Sequence, residues 1–273
     1  MLKRLLAALV GLAVLIPAIV FGGEIAVEII LGLAMLVCLD EYATMAFPTQ
    51  RFKHLFVLLV PGVSLFLAAL HGSQTSTLAV VILGSFWLLA AVLFRKEPVD
   101  DAANATARLF LGWAYVPMFM IFPVLIRRME DGLAWVFLLL VVTWLGDTGA
   151  YFAGRFFGKH KLYEKISPKK TWEGAIGGAV VATGGVMLVK VIAMRFGALE
   201  DLAWWECVFI GVVVDGIGIC GDLVESMLKR SFGVKDSGWI MPGHGGLLDR
   251  VDALLLTGPA LWLYMEAFRP LWT

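Results

Sequence analysis

The chain has 273 residues, 60% of them hydrophobic and only 16% charged, whereas soluble domains sit nearer half apolar and a quarter charged. Lys plus Arg and Asp plus Glu both number 22, so net charge says nothing about partners and only its distribution can. Apolar runs near 20 residues recur along the whole length, each close to what a bilayer core of about 30 Å demands. A soluble enzyme is excluded, and an all-α polytopic integral membrane protein is predicted, because a spanning backbone must satisfy its own hydrogen bonds.

In chain order, hydropathy predicts about nine spans, at 5–22, 24–40, 55–70, 78–94, 108–126, 133–151, 174–194, 204–226 and 248–268. The N-terminal stretch MLKRLLAALVGLAVLIPAIVFGG imitates a secretory signal. Its apolar run is long and lacks a small-x-small cleavage site, so it reads as a retained first span. With the N-terminus in the cytoplasm, 17 of the 22 Lys and Arg fall on the inner side. Only Arg127, Arg128, Lys190, Arg195 and Arg269 remain outside, the asymmetry that the positive-inside rule expects. No internal repeat is convincing, which weakens a transporter reading. Cys38, Cys207 and Cys220 lie in apolar runs and read as inert thiols.

Polarity concentrates in two inner loops, 152–173 and 227–247. The chain therefore divides into a scaffold over 1–130 and a catalytic region over 131–273. Near the first loop, Asp147 sits towards the inner end of an apolar helix, with Tyr151 one turn on. SPKKTWEG follows, with Ser167, Lys169, Lys170, Thr171, Glu173 and Gly174 directly before span seven, where a helix N-terminus would favour an anion. Positive-inside topology alone accounts for the lysines, but not for Asp147 within an apolar run.

Span eight ends VVVDGIGICGDLVESMLKR. As a helix it places Asp215, Gly218, Asp222, Glu225 and Lys229 on one face, with Ser226 and Arg230 beside it. A carboxylate at the centre of a membrane helix costs about 2.5–3.5 kcal/mol on insertion scales, so two on one stripe need a reason. Pairing with basic residues at the helix end is the structural one; chemistry is the other. Gly216, Gly218 and Gly221 match a dinucleotide fingerprint, but inside an apolar helix they predict helix packing instead.

The second loop, SFGVKDSGWIMPGHGG, is glycine-rich, and next to Lys229, Arg230 and Lys235 its free N–H groups, Gly245 and Gly246 among them, suit a phosphate. Asp249 and Asp252 follow at i, i+3 with Arg250 between them. Asp147, Asp222 and Asp249 are hard oxygen ligands suited to Mg2+. No zinc spacing, G-x-S-x-G or Walker A motif is present. Metal-assisted phosphoryl or nucleotidyl transfer at the membrane surface is the reaction class these residues favour.

SMLKRSFGVKDSGWIMPGHGGLLDRVD (226–252) closely resembles the signature of phosphatidate cytidylyltransferases, the CDP-diacylglycerol synthases; Met241 is a conservative departure. SPKKTWEG (167–174) and GDTGAYFAGRFFGKHK (146–161) are similar to the family's second conserved region. The resemblance implies CTP and phosphatidate as substrates, CDP-diacylglycerol as product, and Mg2+, with a second metal ion as an option. It implies Asp222 and Asp249 as metal ligands with Asp147 a third, and Lys229, Arg230, Lys235, Arg250, Lys169 and Lys170 as phosphate-holding groups. Ser167, Thr171, Asp236 and His244 would shape the nucleotide site. The expected setting is the inner cell membrane, multi-pass, with a homodimer as an option and no nucleic-acid partner. Alternatives are another CTP-dependent lipid transferase or kinase, an ion-coupled transporter, and a silent relative. The transporter leaves HGG and SPKK without a purpose.

Overall fold

The computed structural model describes residues 2–95, 99–240 and 245–271, without the side chains of 2–10 and 12. Helices occupy every segment that hydropathy marks as a span. They are α1 (Leu2–Phe21), α2 (Gly23–Ala46), α3 (Arg51–His71), α4 (Gln74–Leu93), α5 (Ala102–Tyr115), α6 (Pro117–Met120), α7 (Phe122–Arg127), α8 (Gly132–Phe157), α9 (Trp172–Met194), α10 (Trp204–Phe209), α11 (Asp215–Ser231) and α12 (Leu248–Leu263). Among the described residues, six stretches are long and apolar enough to cross a membrane. The protein is an all-α, multi-pass membrane protein.

Two expectations change in detail. The fifth span is one 29-residue apolar stretch, Val99–Arg127, but its helix is broken at Val116 and Ile121, where Pro117 and Pro123 lack the N–H a continuous helix needs. The inner loop after span six is largely ordered: α8 runs on to Phe157, and β1 (Lys161–Tyr163) pairs antiparallel with β2 (Ser167–Thr171), in register Lys161↔Thr171 and Tyr163↔Ser167. SPKKT is thus a strand within that loop. The strand could not be read from an apolar pattern, because alternation of burial is absent in a hairpin exposed on most positions.

By internal contacts the chain forms two compact units, 1–124 with 236–249, and 125–235 with 250–273. In the first unit, Met35, Leu39 and Tyr42 of α2, Leu58 of α3, Leu88 of α4 and Leu109 of α5 are fully buried. The Tyr42 hydroxyl donates to the Arg108 carbonyl at 2.8 Å. α4 starts at a Ser73 cap, whose hydroxyl oxygen accepts the Ser76 N–H at 3.2 Å, and turns Leu78, Ile82, Phe86 and Leu93 outwards. Such apolar exposure along a whole helix suits lipid rather than water.

The second unit is organised by close approach of α8 and α9. A Cβ at Gly149 would stand 2.9 Å from the Gly177 carbonyl, one at Gly174 2.9 Å from the Ala150 carbonyl, and one at Gly178 2.9 Å from the Gly146 carbonyl. Small residues therefore let the two backbones touch. The glycines of span seven pack within their own chain, except Gly184, which has open space beside it. α9 begins at Thr171, whose side-chain oxygen accepts the Gly174 N–H at 3.1 Å. α10 passes through a π-helical stretch, Ile210–Val214, into α11. The extra residue in that turn re-aims the helix at Asp215, a common π-bulge effect near functional positions.

Candidate active site

A cavity of about 550 Å³ opens in the second unit, within the usual size range of small-molecule sites. α8 contributes Asp147, Tyr151 and Arg155; β2 contributes Ser167, Lys169, Lys170 and Thr171; α11 contributes Asp222. The hairpin is what brings the SPKK lysines to the cavity beside α8 and α11. It is pinned by the Lys161 ammonium donating to the Pro168 carbonyl at 2.7 Å and by Glu173. That carboxylate accepts the Lys159 and His160 N–H groups and meets the His160 ring Nδ1 at 2.6 Å. The lining carries both signs of charge, Arg155, Lys169 and Lys170 with Asp147 and Asp222. Lys170 joins the two, its Nζ 3.0 Å from Asp222 Oδ2 and donating to the Ile219 carbonyl at 3.2 Å. Arg155 Nη1 donates to the Tyr151 hydroxyl at 3.0 Å.

α11 carries the predicted polar stripe. Asp215, Gly218 and Glu225 are buried along it. Asp222 accepts from the Ser226 hydroxyl at 3.2 Å. Glu225 pairs with Lys229 one turn on, so this half of the stripe follows the structural reading. Asp215 does not: its Oδ2 is buried with no hydrogen-bond partner among the described residues, facing Gly178 of α9, where a Cβ would lie 3.3 Å away. Gly218 and Gly221 pack on α12, a Cβ at Gly221 meeting the Asp252 carbonyl at 2.7 Å. The dinucleotide-like glycines thus serve helix packing, as expected.

Around Asp147 the charged neighbours are Asp222, Lys170 and Arg250; around Asp252 they are Asp222, Asp147 and Lys229. Asp252 therefore joins the group, which the i, i+3 spacing from Asp249 hinted at without assigning it a role. Among the described residues, no three His, Cys, Asp or Glu side chains converge closely enough to hold a metal ion by themselves. Mg2+, however, ordinarily takes one or two carboxylates and completes its shell with water and substrate phosphates. The Asp147 and Asp222 carboxylates, beside a cavity floored with ammonium groups, fit that pattern.

The first unit contains the glycine-rich segment. Asp249 Oδ2 accepts the Ser237 N–H at 3.0 Å, the Ser237 hydroxyl at 2.9 Å and the Gly246 N–H at 2.8 Å. Gly245 adopts φ +84, a left-handed conformation that favours glycine, and a Cβ there would sit 2.5 Å from Asp249 Oδ2. Glu41 of α2, 3% exposed, accepts the Leu247 N–H at 2.9 Å and the Leu248 N–H at 2.8 Å. Neither Glu41 nor Ser237 was among the sequence candidates. The available signal was Glu41 itself, an acidic residue at the end of an apolar run.

Of the sequence candidates, Asp147, Ser167, Lys169, Lys170, Thr171 and Asp222 line one cavity. Arg250 lies within electrostatic reach of its Asp147 carboxylate, and Lys229 within reach of Asp252 beside it. Gly245, Gly246 and Asp249 are held together in the first unit, with Asp236 next to Gly245. Arg230 donates to the Val234 carbonyl at 3.3 Å, and Lys235 is exposed. His244 lies outside the described residues.

Residues 2–268 match the family model described as the cytidylyltransferase family. A Staphylococcus haemolyticus protein named phosphatidate cytidylyltransferase is 36% identical over 270 residues, covering 94% of this chain and 96% of the relative. Proteins of the same name from Staphylococcus saprophyticus and Staphylococcus aureus are each 35% identical over 94% of this chain and 96% of the relative. Matched over residues 2–268 and to these relatives over 94% of its length, the chain belongs to the cytidylyltransferase family.

Proposed function

We propose that this protein transfers CMP from CTP to phosphatidate at a membrane surface, giving CDP-diacylglycerol and pyrophosphate. The observation that carries the reading is the cavity in which Lys169, Lys170, Arg155 and the carboxylates of Asp147 and Asp222 meet, in a chain that matches the family over nearly its whole length. A lipid phosphate and a soluble nucleotide can meet only at the interface, which is why a chain this apolar carries a cavity lined by lysines, an arginine and carboxylates.

A phosphatidate phosphate oxygen attacks the α-phosphorus of CTP. A new P–O bond forms, the bond from the α-phosphorus to the bridging oxygen breaks, and pyrophosphate leaves with that electron pair. Two polyanions must approach, so positioning and charge neutralisation dominate. Lys169 and Lys170 hold phosphate oxygens, and Lys170 also keeps Asp222 in place through its 3.0 Å contact. Ser167 lines the phosphate side of the cavity, while Thr171 fixes β2 to α9 through its cap. Mg2+, when bound, would supply positive charge to the phosphates, held by Asp147 and Asp222. No covalent enzyme intermediate is needed. The positive-inside pattern supports an active site facing the cytoplasm of a cell membrane.

The test is purified protein in detergent with phosphatidate, radiolabelled CTP and Mg2+, with and without EDTA. Label in the lipid phase that disappears with EDTA and in Asp222→Asn supports the reading. No label in lipid, from protein shown to be folded, refutes phosphatidate as acceptor; label appearing with another lipid would move the assignment to that acceptor.

A further inference from the structure

Glu41 stands on α2, 206 and 207 residues from the two leucines it holds, and is 3% exposed. A buried carboxylate is costly unless donors surround it. Its donors are the N–H groups of Leu247 and Leu248, at 2.9 and 2.8 Å, and these open α12. Anionic charge is favoured at a helix N-terminus, and the first N–H groups there have no partner within the helix. The Ser237 hydroxyl lies 3.3 Å from Glu41 Oε2 and 2.9 Å from Asp249 Oδ2. Its single proton goes to one carboxylate at a time, and the shorter contact favours Asp249.

The glycines of this segment are shaped around the same carboxylate. A Cβ at Gly238 would stand 2.5 Å from Glu41 Oε1, and one at Gly246 2.6 Å from Glu41 Oε2. Gly246 in turn donates its N–H to Asp249 at 2.8 Å. Glycine at 246 thus leaves room for the Ser237 hydroxyl and the Glu41 carboxylate together.

We infer that Glu41 is a positioning residue for the transfer reaction: it fixes the Leu247 and Leu248 backbone, and through the adjoining Gly246, whose N–H is donated to Asp249, the carboxylate of Asp249, in the geometry the reaction uses. The inference rests on the cytidylyltransferase reading. Misplacing a reacting constellation by about 1 Å costs on the order of 100-fold, and a group that acts on geometry at the transition state changes kcat more than KM.

The experiment compares wild type, Glu41→Gln and Glu41→Asp by CMP transfer to phosphatidate and by hydrogen exchange of peptides covering 236–249. In Glu41→Gln an amide NH2 replaces one acceptor and opposes the Leu247 and Leu248 donors. It lowers kcat about 10- to 100-fold with both KM values within about threefold, and speeds exchange in 236–249 but not along α4. Glu41→Asp, which keeps the charge with a shorter reach, falls between. Should Glu41→Gln not fold, Glu41→Asp is read by the same criteria. Wild-type kcat with faster exchange overturns the inference, as does a lower kcat with unchanged exchange. A wild-type protein that labels no lipid instead refutes the functional reading itself.

Discussion

Lys170 and Asp222 offer the most direct test of the cavity, because one contact joins a cation and a carboxylate of its lining. The ammonium lies 3.0 Å from Asp222 Oδ2, with the two side chains 21% and 33% exposed. An exposed pair is worth about 0.2–1 kcal/mol, and breaking a buried one costs about 3–5 kcal/mol. A pair at this depth falls between, at about 1–2 kcal/mol of coupling. Lys170 also loses a charge-assisted bond to a substrate phosphate when neutralised, about 1.5–3 kcal/mol. Lys170→Met, which keeps the stem, should thus lower kcat/KM by about 10- to 150-fold. Steady-state transfer assays of Lys170→Met, Asp222→Asn and the double variant close a cycle. Residues that act as one unit are non-additive, so the double variant should be less impaired than the product of the two single effects, by about five- to thirty-fold. Strict additivity would show that the contact is not part of the reacting arrangement.

Three further outcomes follow from the second unit. Gly149→Ala pushes a Cβ to 2.9 Å from the Gly177 carbonyl and should destabilise by about 1–3 kcal/mol, seen as a lower Tm in detergent, while Gly184→Ala, with nothing beside it, should leave Tm unchanged. Lys229→Met strands buried Glu225 without its ammonium partner and should lower Tm more than the Glu225→Gln/Lys229→Met double variant does; equal losses would count against the pairing. Thr171→Val removes the α9 cap at about 1 kcal/mol, and Thr171→Ser should restore it; a valine variant as stable as wild type would show the cap to be idle.

The helices were legible because apolar runs of bilayer length admit few other structures, and all nine runs are helical. The stripe on α11 was legible for a related reason: helical periodicity puts Asp215, Asp222 and Glu225 on one face whatever surrounds them. What the stripe does was not. Glu225 pairs with Lys229 whereas Asp215 Oδ2 has no hydrogen-bond partner among the described residues, a difference that depends on which neighbours pack against each turn. The strand at SPKKT escaped notice because its pairing with Lys161–Tyr163, rather than any pattern of its own, makes it a strand.

By itself the sequence determined the class of the protein, its membrane helices, and the candidate residues at their ends, since hydropathy and helical spacing are local properties. Only the tertiary structure decided which of those residues share a cavity, that Asp252 lies within electrostatic reach of its carboxylates, and that Glu41 holds the Leu247 and Leu248 N–H groups. Those facts rest on contacts between residues as far apart as 41 and 248. Burial makes such contacts necessary, because a carboxylate removed from water must find donors, but nothing in its own stretch of chain says where the donors come from.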